Sequence, residues 1–467
     1  MKRQLIYAVV ASTTLLAGCA TLSPDRGIGP VQALARERLG PGVTLPAVDT
    51  VQRSASRQQE LLAAPLTPDS AVELALLNNP RVKASLAALG VADAERVQAG
   101  RLANPRYAFG NKRGGDLVTI DRTLTLNVLA LFTWPLTQKV VAREYEAAQL
   151  RAATDIVEFA ADVRRGWFEA VASEQSVTYA AQVAQAADVG GELARRMAEA
   201  GNFSALTQMR EQAFAVDAAT RLAQARLTAT LDRERLVRLL GIAGPDQGLR
   251  LPDRLPDLPA APIPAIDAER SALERRFDVQ MAMRSAEAAA ENLGISKATR
   301  FVNVLDLGYT NESNRGEPRL DGYQIELELP LFDWGDARLA RAEADYMRRV
   351  AHAAGVALDA RSELRTSYQT YRSAWDLARR YRDEVVPLRK RIADENLLRY
   401  NGMLISVFEL LADAGKQIAA VSASIGASRD FWIAQTNLEL AQSGAAPVSG
   451  EPDRLRVPPA ALSGIDN

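Results

Sequence analysis

Two stretches of the chain repeat their small and apolar residues on a period of about 3.5 residues, the signature of helices packed along a seam. In the first, Ala152, Ile156, Phe159, Val163, Gly166, Ala170, Ser173, Val177, Ala180, Ala184 and Ala187 follow in alternating steps of four and three. In the second, Tyr346, Val350, Ala353, Ala357, Ala360, Leu364, Ser367, Tyr371, Ala374, Ala378, Tyr381 and Val385 do the same. The remaining faces carry Arg164, Arg165 and Glu169, or Arg361, Glu363 and Arg365, as solvated faces do. Many seam residues are Ala, Ser or Gly, which lets helix axes approach closely. A two-stranded soluble coiled coil has the same pattern, so periodicity alone leaves both readings open.

Length adds a constraint. Gln138 to Ala200 and Ala337 to Asn401 would each make a helix about 95 Å long at about 1.5 Å per residue. The returning helices, Ser204 to Leu240 and Ser406 to Leu440, cover about half that distance. The segments Pro68 to Gly100 and Asp267 to Lys297 supply the missing halves if half-helices stack end to end.

Four shorter segments alternate with period two. Gly322 to Trp334 puts Tyr323, Ile325, Leu327, Leu329 and Leu331 on one face and Gln324, Glu326 and Glu328 on the other. Phe301 to Tyr309 alternates less cleanly, with Asp306 among its polar positions. Thr123 to Val128 alternates and runs on apolar to Trp134; its partner around Pro105 to Gly110 sets Tyr107 and Phe109 against Arg106 and Ala108. Asn111 to Ile120 and Thr310 to Asp321 read as hairpin loops. An apolar face opposite an acidic one suits a sheet between lipid and water, although a hairpin on a soluble core alternates alike. Trp134 and Trp334 fall at matching strand ends, where an interfacial aromatic girdle would lie. Four strands cannot close a barrel, which takes about eight, and open edges in lipid leave backbone groups unpaired. Transmembrane strands would therefore require several copies; three would supply twelve.

The body is written twice, about 200 residues apart, too long for a solenoid unit. Asn79-Pro80-Arg81-Val82 matches Arg276-Phe277-Asp278-Val279, Pro135-Leu136 matches Pro330-Leu331, and Gly201 matches Gly402. The organisation expected is a signal segment at 1–18, an N-terminal extension at 19–67, a first repeat at 68–240, a Pro-rich linker at 241–266, a second repeat at 267–442 and an unstructured tail at 443–467. Prolines at 245, 252, 256, 259, 262 and 264 forbid regular helix or central strand in the linker.

The first residues form an address. Lys2 and Arg3 precede an apolar stretch from Leu5 to Ala17, too short for a comfortable bilayer span, which ends in Leu16-Ala17-Gly18-Cys19. This resembles a bacterial lipobox, with Cys19 as the acylated residue; an ordinary secretory signal with a chance Cys is the plainer alternative. Ala20, in place of the Asp associated with inner-membrane retention, points to the outer membrane.

Composition narrows the chemistry. The chain has 467 residues, with 56 basic and 57 acidic side chains and a net charge of −1, and no basic face to suit nucleic acid. One Cys and one His remove disulfide frameworks, Cys/His zinc sites and Cys/His catalytic pairs. His352 reads as a surface residue of a long helix, and the seven Met are too scattered for a copper site. No G-x-S-x-G, HExxH, CxxC or phosphate loop occurs, so an enzyme, a cofactor and a catalytic residue are not expected. Aromatics make up only 6% of the chain, which suits close-packed helices better than a thick aromatic core.

The lipobox, the twofold repeat, the Asn79-Pro80 entry, the exits Trp134-Pro135-Leu136 and Pro330-Leu331-Phe332-Asp333-Trp334-Gly335, and the turn from Tyr400 to Ser406 together resemble the TolC family of outer-membrane efflux proteins over about Pro68 to Gln442. The resemblance implies a mainly α chain with a small β part. Its homotrimer would form a twelve-strand barrel above a twelve-helix periplasmic tunnel. The trimer would dock onto a periplasmic adaptor and an inner-membrane pump and conduct drugs, metals or proteins passively. In that family the second helical turn reads Tyr, Gly three residues on, a small polar residue at six and an acid at nine. Here Tyr400 is followed by Met403, Ser406 and Glu409, with the glycine one place early at Gly402. The acid of the tunnel mouth maps to Glu409, with Asp413 one turn later; a solvated helix face without a gate role is the alternative. Gly201, Ser204, Gly402 and Ser406 would form the adaptor-docking tips, and Glu326 and Glu328 would line a cation-tolerant lumen. Type I protein secretion and a non-channel coiled-coil lipoprotein are the competing functions.

Overall fold

The computed structural model describes residues 21–46, 51–114, 117–242, 248–264, 273–302, 304–314 and 317–445. The signal segment, Cys19 and the tail beyond residue 445 lie outside them. The N-terminal extension carries α1 (Ile28–Leu39) and α2 (Val51–Leu62). The first repeat runs α3 (Pro68–Asn78), α4 (Pro80–Ala99), β1 (Arg106–Gly114), β2 (Leu117–Asn127), α5 (Val128–Glu199) and α6 (Ala205–Leu240). The second runs α7 (Phe277–Ala298), β3 (Leu305–Asn314), β4 (Leu320–Leu327), α8 (Asp336–Arg380), a π turn (Tyr381–Val385), α9 (Val386–Asn401) and α10 (Val407–Ser443). Pro387 explains the π turn. It has no N–H to donate, and in a regular helix its ring would strike the carbonyl of Asp383, so the backbone widens just before it.

The half-helices do stack end to end, and the joints are specific. Asn79 stands between α3 and α4. Its Oδ1 accepts from Arg81 N at 2.8 Å, capping α4, while its Nδ2 donates to the carbonyls of Arg238 and Leu239 at 3.2 and 2.9 Å, closing the end of α6. One side chain thus satisfies orphan groups of two helix ends. The chain then leaves α6 through Gly241, at φ 67°, where a Cβ would lie 2.9 Å from the Asn79 nitrogen. The second repeat builds the same joint with Arg276. It precedes α7, pairs with Asp278 at 2.8 Å and Glu363 at 2.6 Å, and donates to the Ala441 carbonyl of α10. Gly444, at φ 70°, ends α10 against the Phe277 nitrogen, as Gly241 ends α6. A buried guanidinium with two carboxylates and a carbonyl is fully compensated.

The core lies at this waist. Ile156, Phe159 and Trp167 of α5 pack with Leu74 and Leu76 of α3, Leu236 and Leu240 of α6, and Val31 and Ala35 of α1. The N-terminal extension is therefore part of the body. Tyr371 and Trp375 of α8, Phe431 and Leu438 of α10 and Leu258 of the linker form a second cluster. Phe168 stacks on Trp432 with centroids 5.5 Å apart. These aromatics form a local aromatic core that composition alone did not reveal. Their polar atoms hold the proline-rich segment, which is irregular over residues 248–264. Trp375 donates to Pro259 O at 3.3 Å, Trp432 donates to Pro256 O at 3.2 Å, and the Tyr371 hydroxyl accepts from Ile263 N at 3.0 Å.

The four strands form one antiparallel sheet in the order β1-β2-β3-β4, with the repeats joined through β2 and β3. Two expectations are corrected. The segments 111–120 and 310–321, read as hairpin loops, are mostly strand, because their polar side chains pair across the ladder. The apolar run after Asn127 is helix. Asn127 Oδ1 accepts from Ala130 N at 2.7 Å and starts α5 at Val128, so Trp134 and Pro135 lie inside that helix.

Asn79→Ala removes the α4 cap and two hydrogen bonds to α6 together. It is expected to lower stability by about 2 kcal/mol, read as an earlier denaturant midpoint with an unchanged m-value.

Candidate channel wall and docking tips

The sheet sorts its side chains into rows. Tyr107, Leu124, Tyr309 and Tyr323 align across all four strands, and Leu126, Leu307 and Ile325 form the next row on that face. Leu305 opposite Leu327 makes a third. This apolar face is open; Tyr323 is 81% exposed. Toward the hairpin turns follows a mixed row of Phe109, Arg122, Asn311 and Asp321, where Arg122 donates to Asn311 at 2.9 Å and Asn311 to Asp321 at 2.6 Å. The opposite face carries Arg106, Thr125, Gly308 and Gln324 in one row and Asn127, Asp306 and Glu326 in another. Asp306 is 2% exposed and pairs with Arg106 at 2.6 Å.

Glu326 thus lies in β4 on the polar face, opposite Asp306. Glu328 does not share that strand. β4 ends at Leu327, and Glu328 keeps only a 3.4 Å backbone bond from its nitrogen to Val304 O, since Pro330 ends the ladder. The two tryptophans do not mark matching strand ends. Trp134, inside α5, donates its indole N–H to Gly100 O at 2.7 Å. Trp334 sits in the irregular link before Gly335 and is exposed. Both nevertheless fall where sheet meets helices, beside exposed Phe132 and a Phe332 that is 99% exposed.

At the other end of the long helices are two tight turns. Gly201 takes φ 77°, and Ser204 caps α6 by accepting from Thr207 N at 3.2 Å. In the second turn Gly402 has an ordinary φ of −81°, and Met403 takes the left-handed conformation at φ 62°. Ser406 caps α10, accepting from Glu409 N at 3.3 Å. The structural register therefore matches Gly201 with Met403 and Ser204 with Ser406, and corrects the alignment of Gly201 with Gly402. Sequence similarity favoured the glycine, whereas the fixed spacing to the capping serine held the signal. Met403 is 94% exposed, with Leu404 exposed beside it.

The two acids have definite partners. The Glu409 carboxylate accepts from Ser406 N at 3.3 Å and completes a capping box. Asp413 accepts from Lys416 at 2.8 Å and from Asn396 of the facing α9 at 2.6 Å. Lys416, then Asn396, hold its carboxyl below the usual range. Among the described residues no group of three or more His, Cys, Asp or Glu is placed to hold a metal ion.

No family model and no curated relative matches the chain. Solved structures do. The outer-membrane channel OprN matches at 19% identity and a TM-score of 0.68, covering 87% of this chain and 98% of its own. The outer-membrane protein VceC of Vibrio cholerae matches at 17% and 0.68, covering 85% and 99%. The open state of the Neisseria gonorrhoeae MtrE outer-membrane channel matches at 16% and 0.69, covering 83% and 89%. The chain has the outer-membrane channel fold. Within that fold the four-stranded sheet lies at one end of the long helices and the two turns lie at the other.

A left-handed Met costs about 1–2 kcal/mol relative to a residue without a Cβ. Met403→Gly is expected to stabilise the second turn by about 1 kcal/mol after the added chain entropy of glycine. Gly201→Met should destabilise the first by a similar amount, both read as amide exchange at the turns.

Proposed function

We propose that the chain is the outer-membrane channel of a tripartite efflux system. Three copies would close a twelve-strand barrel and continue it as a twelve-helix periplasmic tunnel, and the channel would conduct small molecules or metal ions passively. One observation supports this most: a sheet with aligned apolar rows on one face, Asp306 and Glu326 on the other, and unpaired edges on β1 and β4. Edge-to-edge pairing with sister sheets satisfies those backbone groups, which lipid cannot. The helices also leave apolar side chains open to further copies. Leu206, Met209, Val216 and Leu227 of α6 are exposed, as are Leu377, Leu388 and Leu398 along α8 and α9.

The N-terminal extension supports a lipid anchor at Cys19. Ser23 donates from N and Oγ to Asp93 at 2.8 and 3.1 Å, and Arg96 reaches Thr21 O at 3.4 Å. These contacts hold the chain near the end of α4 that leads into the sheet, two residues short of the cysteine. The phenylalanines at 132 and 332, with Trp134 and Trp334, would rest in the adjoining interface. Gly201, Ser204, Gly402 and Ser406 shape the turns that would meet a periplasmic adaptor, which the inner-membrane pump would load. Met403 and Leu404 add an apolar tip. Tripled around the axis, Glu409 and Asp413 would make an acidic mouth that attracts cations.

Purified protein in planar bilayers is expected to give stepwise, cation-preferring conductance. Glu326→Lys should shift the preference toward anions without abolishing the steps. Tyr323→Arg, which places a charge on the lipid face at about 2–4 kcal/mol per subunit, should prevent heat-resistant oligomers. A monomer that gives no conductance would refute the reading.

A further inference from the structure

The register of the two capping serines pairs a second set of residues that similarity does not reveal. Glu211 stands seven residues after Ser204, and Asp413 stands seven after Ser406. The two hairpins therefore carry an acid at the same place, in very different surroundings. Asp413 has Asn396 across the hairpin and Lys416 on its own helix. The corresponding places in the first hairpin hold Ala194 and Phe214. Glu211 is 6% exposed, and its Oε1 is buried with no hydrogen-bond partner among the described residues.

What faces it from α5 is a pair of glycines. A Cβ on Gly190 would lie 3.9 Å from Glu211 Oε2, and one on Gly191 would lie 3.9 Å from the Glu211 carbonyl. Two adjacent glycines inside a helix cost about 1 kcal/mol each relative to alanine, and they face Glu211 at ordinary contact distance without offering its carboxyl a side-chain donor. The charged residues that flank the glycine pair in sequence are Asp188 and Glu192, and Glu192 is tied to Arg195 and Arg196 at 2.8 Å each. On α6 the preceding residue is Arg210, which has an interaction of its own. A buried carboxylate without a partner is expensive, and such a group responds by keeping its proton.

We propose that Glu211 is a proton-binding carboxyl that couples the packing of the α5–α6 hairpin to the pH around its tip. Protonated, it stays beneath Gly190; ionised, it needs water and loosens the hairpin. Burial pushes its carboxyl up. A raised folded value means that the penalty is absent below the ordinary glutamate range and grows as pH rises through the folded value. Asp413 has the opposite sense. Its depressed value leaves its contribution intact at neutral pH, lost only as pH falls through that value. The two tips of one protomer are therefore tuned in opposite directions, so acid tightens the first and neutrality favours the second. That this bears on adaptor docking rests on the function proposed above; the hairpin's response itself does not.

The test is amide exchange of the full-length protein in detergent between pH 5 and pH 8, corrected for the intrinsic pH dependence of exchange. In the parent protein the α5–α6 hairpin should open more at pH 8, by up to about tenfold for each unit by which burial raises the carboxyl. Glu211→Gln should remove that dependence and hold the protected level throughout. Gly190→Ser, which brings a hydroxyl donor to the carboxyl, should also flatten the response, whereas Gly190→Ala, with the same Cβ and no donor, should not. A parent hairpin that exchanges equally at both pH values overturns the proposal, as does a pH response that persists in Glu211→Gln or does not separate Gly190→Ser from Gly190→Ala. Exchange is read whether or not the protein conducts, so failure of the channel reading would not be mistaken for failure of this one.

Discussion

The sheet cannot be finished by its own chain. Four strands leave one free edge on β1 and another on β4, while Tyr107, Leu124, Tyr309 and Tyr323 spread one apolar row across its full width. Water would oppose the apolar face, and lipid would oppose the edges, where each unpaired backbone group costs several kcal/mol. In the channel proposed above, lipid on the face and further strands on the edges would satisfy both. The long helices, the turns and the joints hold such a sheet at one end of the molecule and two tips at the other.

The joints solve a problem of length. Helix α5 has 72 residues, about 108 Å, and its return α6 has 36, about 54 Å. Breaking the return path in two frees helix ends in the middle of the molecule, where orphan carbonyls and amides would otherwise be buried. Asn79 satisfies the first break with an amide and Arg276 satisfies the second with a guanidinium. Tyr371, Trp375, Phe431 and Trp432 and the proline-rich segment gather at the same level. The waist is therefore both the mechanical joint and the hydrophobic core, and the tips beyond it are freer to respond to local charge.

Much of this architecture was legible. Seams with a step of four and three marked the long helices, and strand alternation in 322–327 gave the two faces of β4 correctly. The failures have physical causes. Val128 to Trp134 is a continuous apolar run that serves a strand or a helix equally, and the deciding feature was the Asn127 cap. Polar residues such as Asn311 and Asp321 read as loop, but they pair with one another across a ladder. In the second turn a neighbouring glycine drew the alignment away from Met403, although the spacing to Ser406 carried the register. Glu211 had no local signal at all; its meaning depends on what the facing helix lacks.

The central claim is that sister sheets pair edge to edge, and single cysteines introduced along β1 and β4 test it most directly. After oxidation in the membrane, pairs in register should yield covalent species up to a closed trimer, with cross-linking that alternates along the strands as the side chains do. Exclusively monomeric protein across every β1–β4 combination would contradict the account.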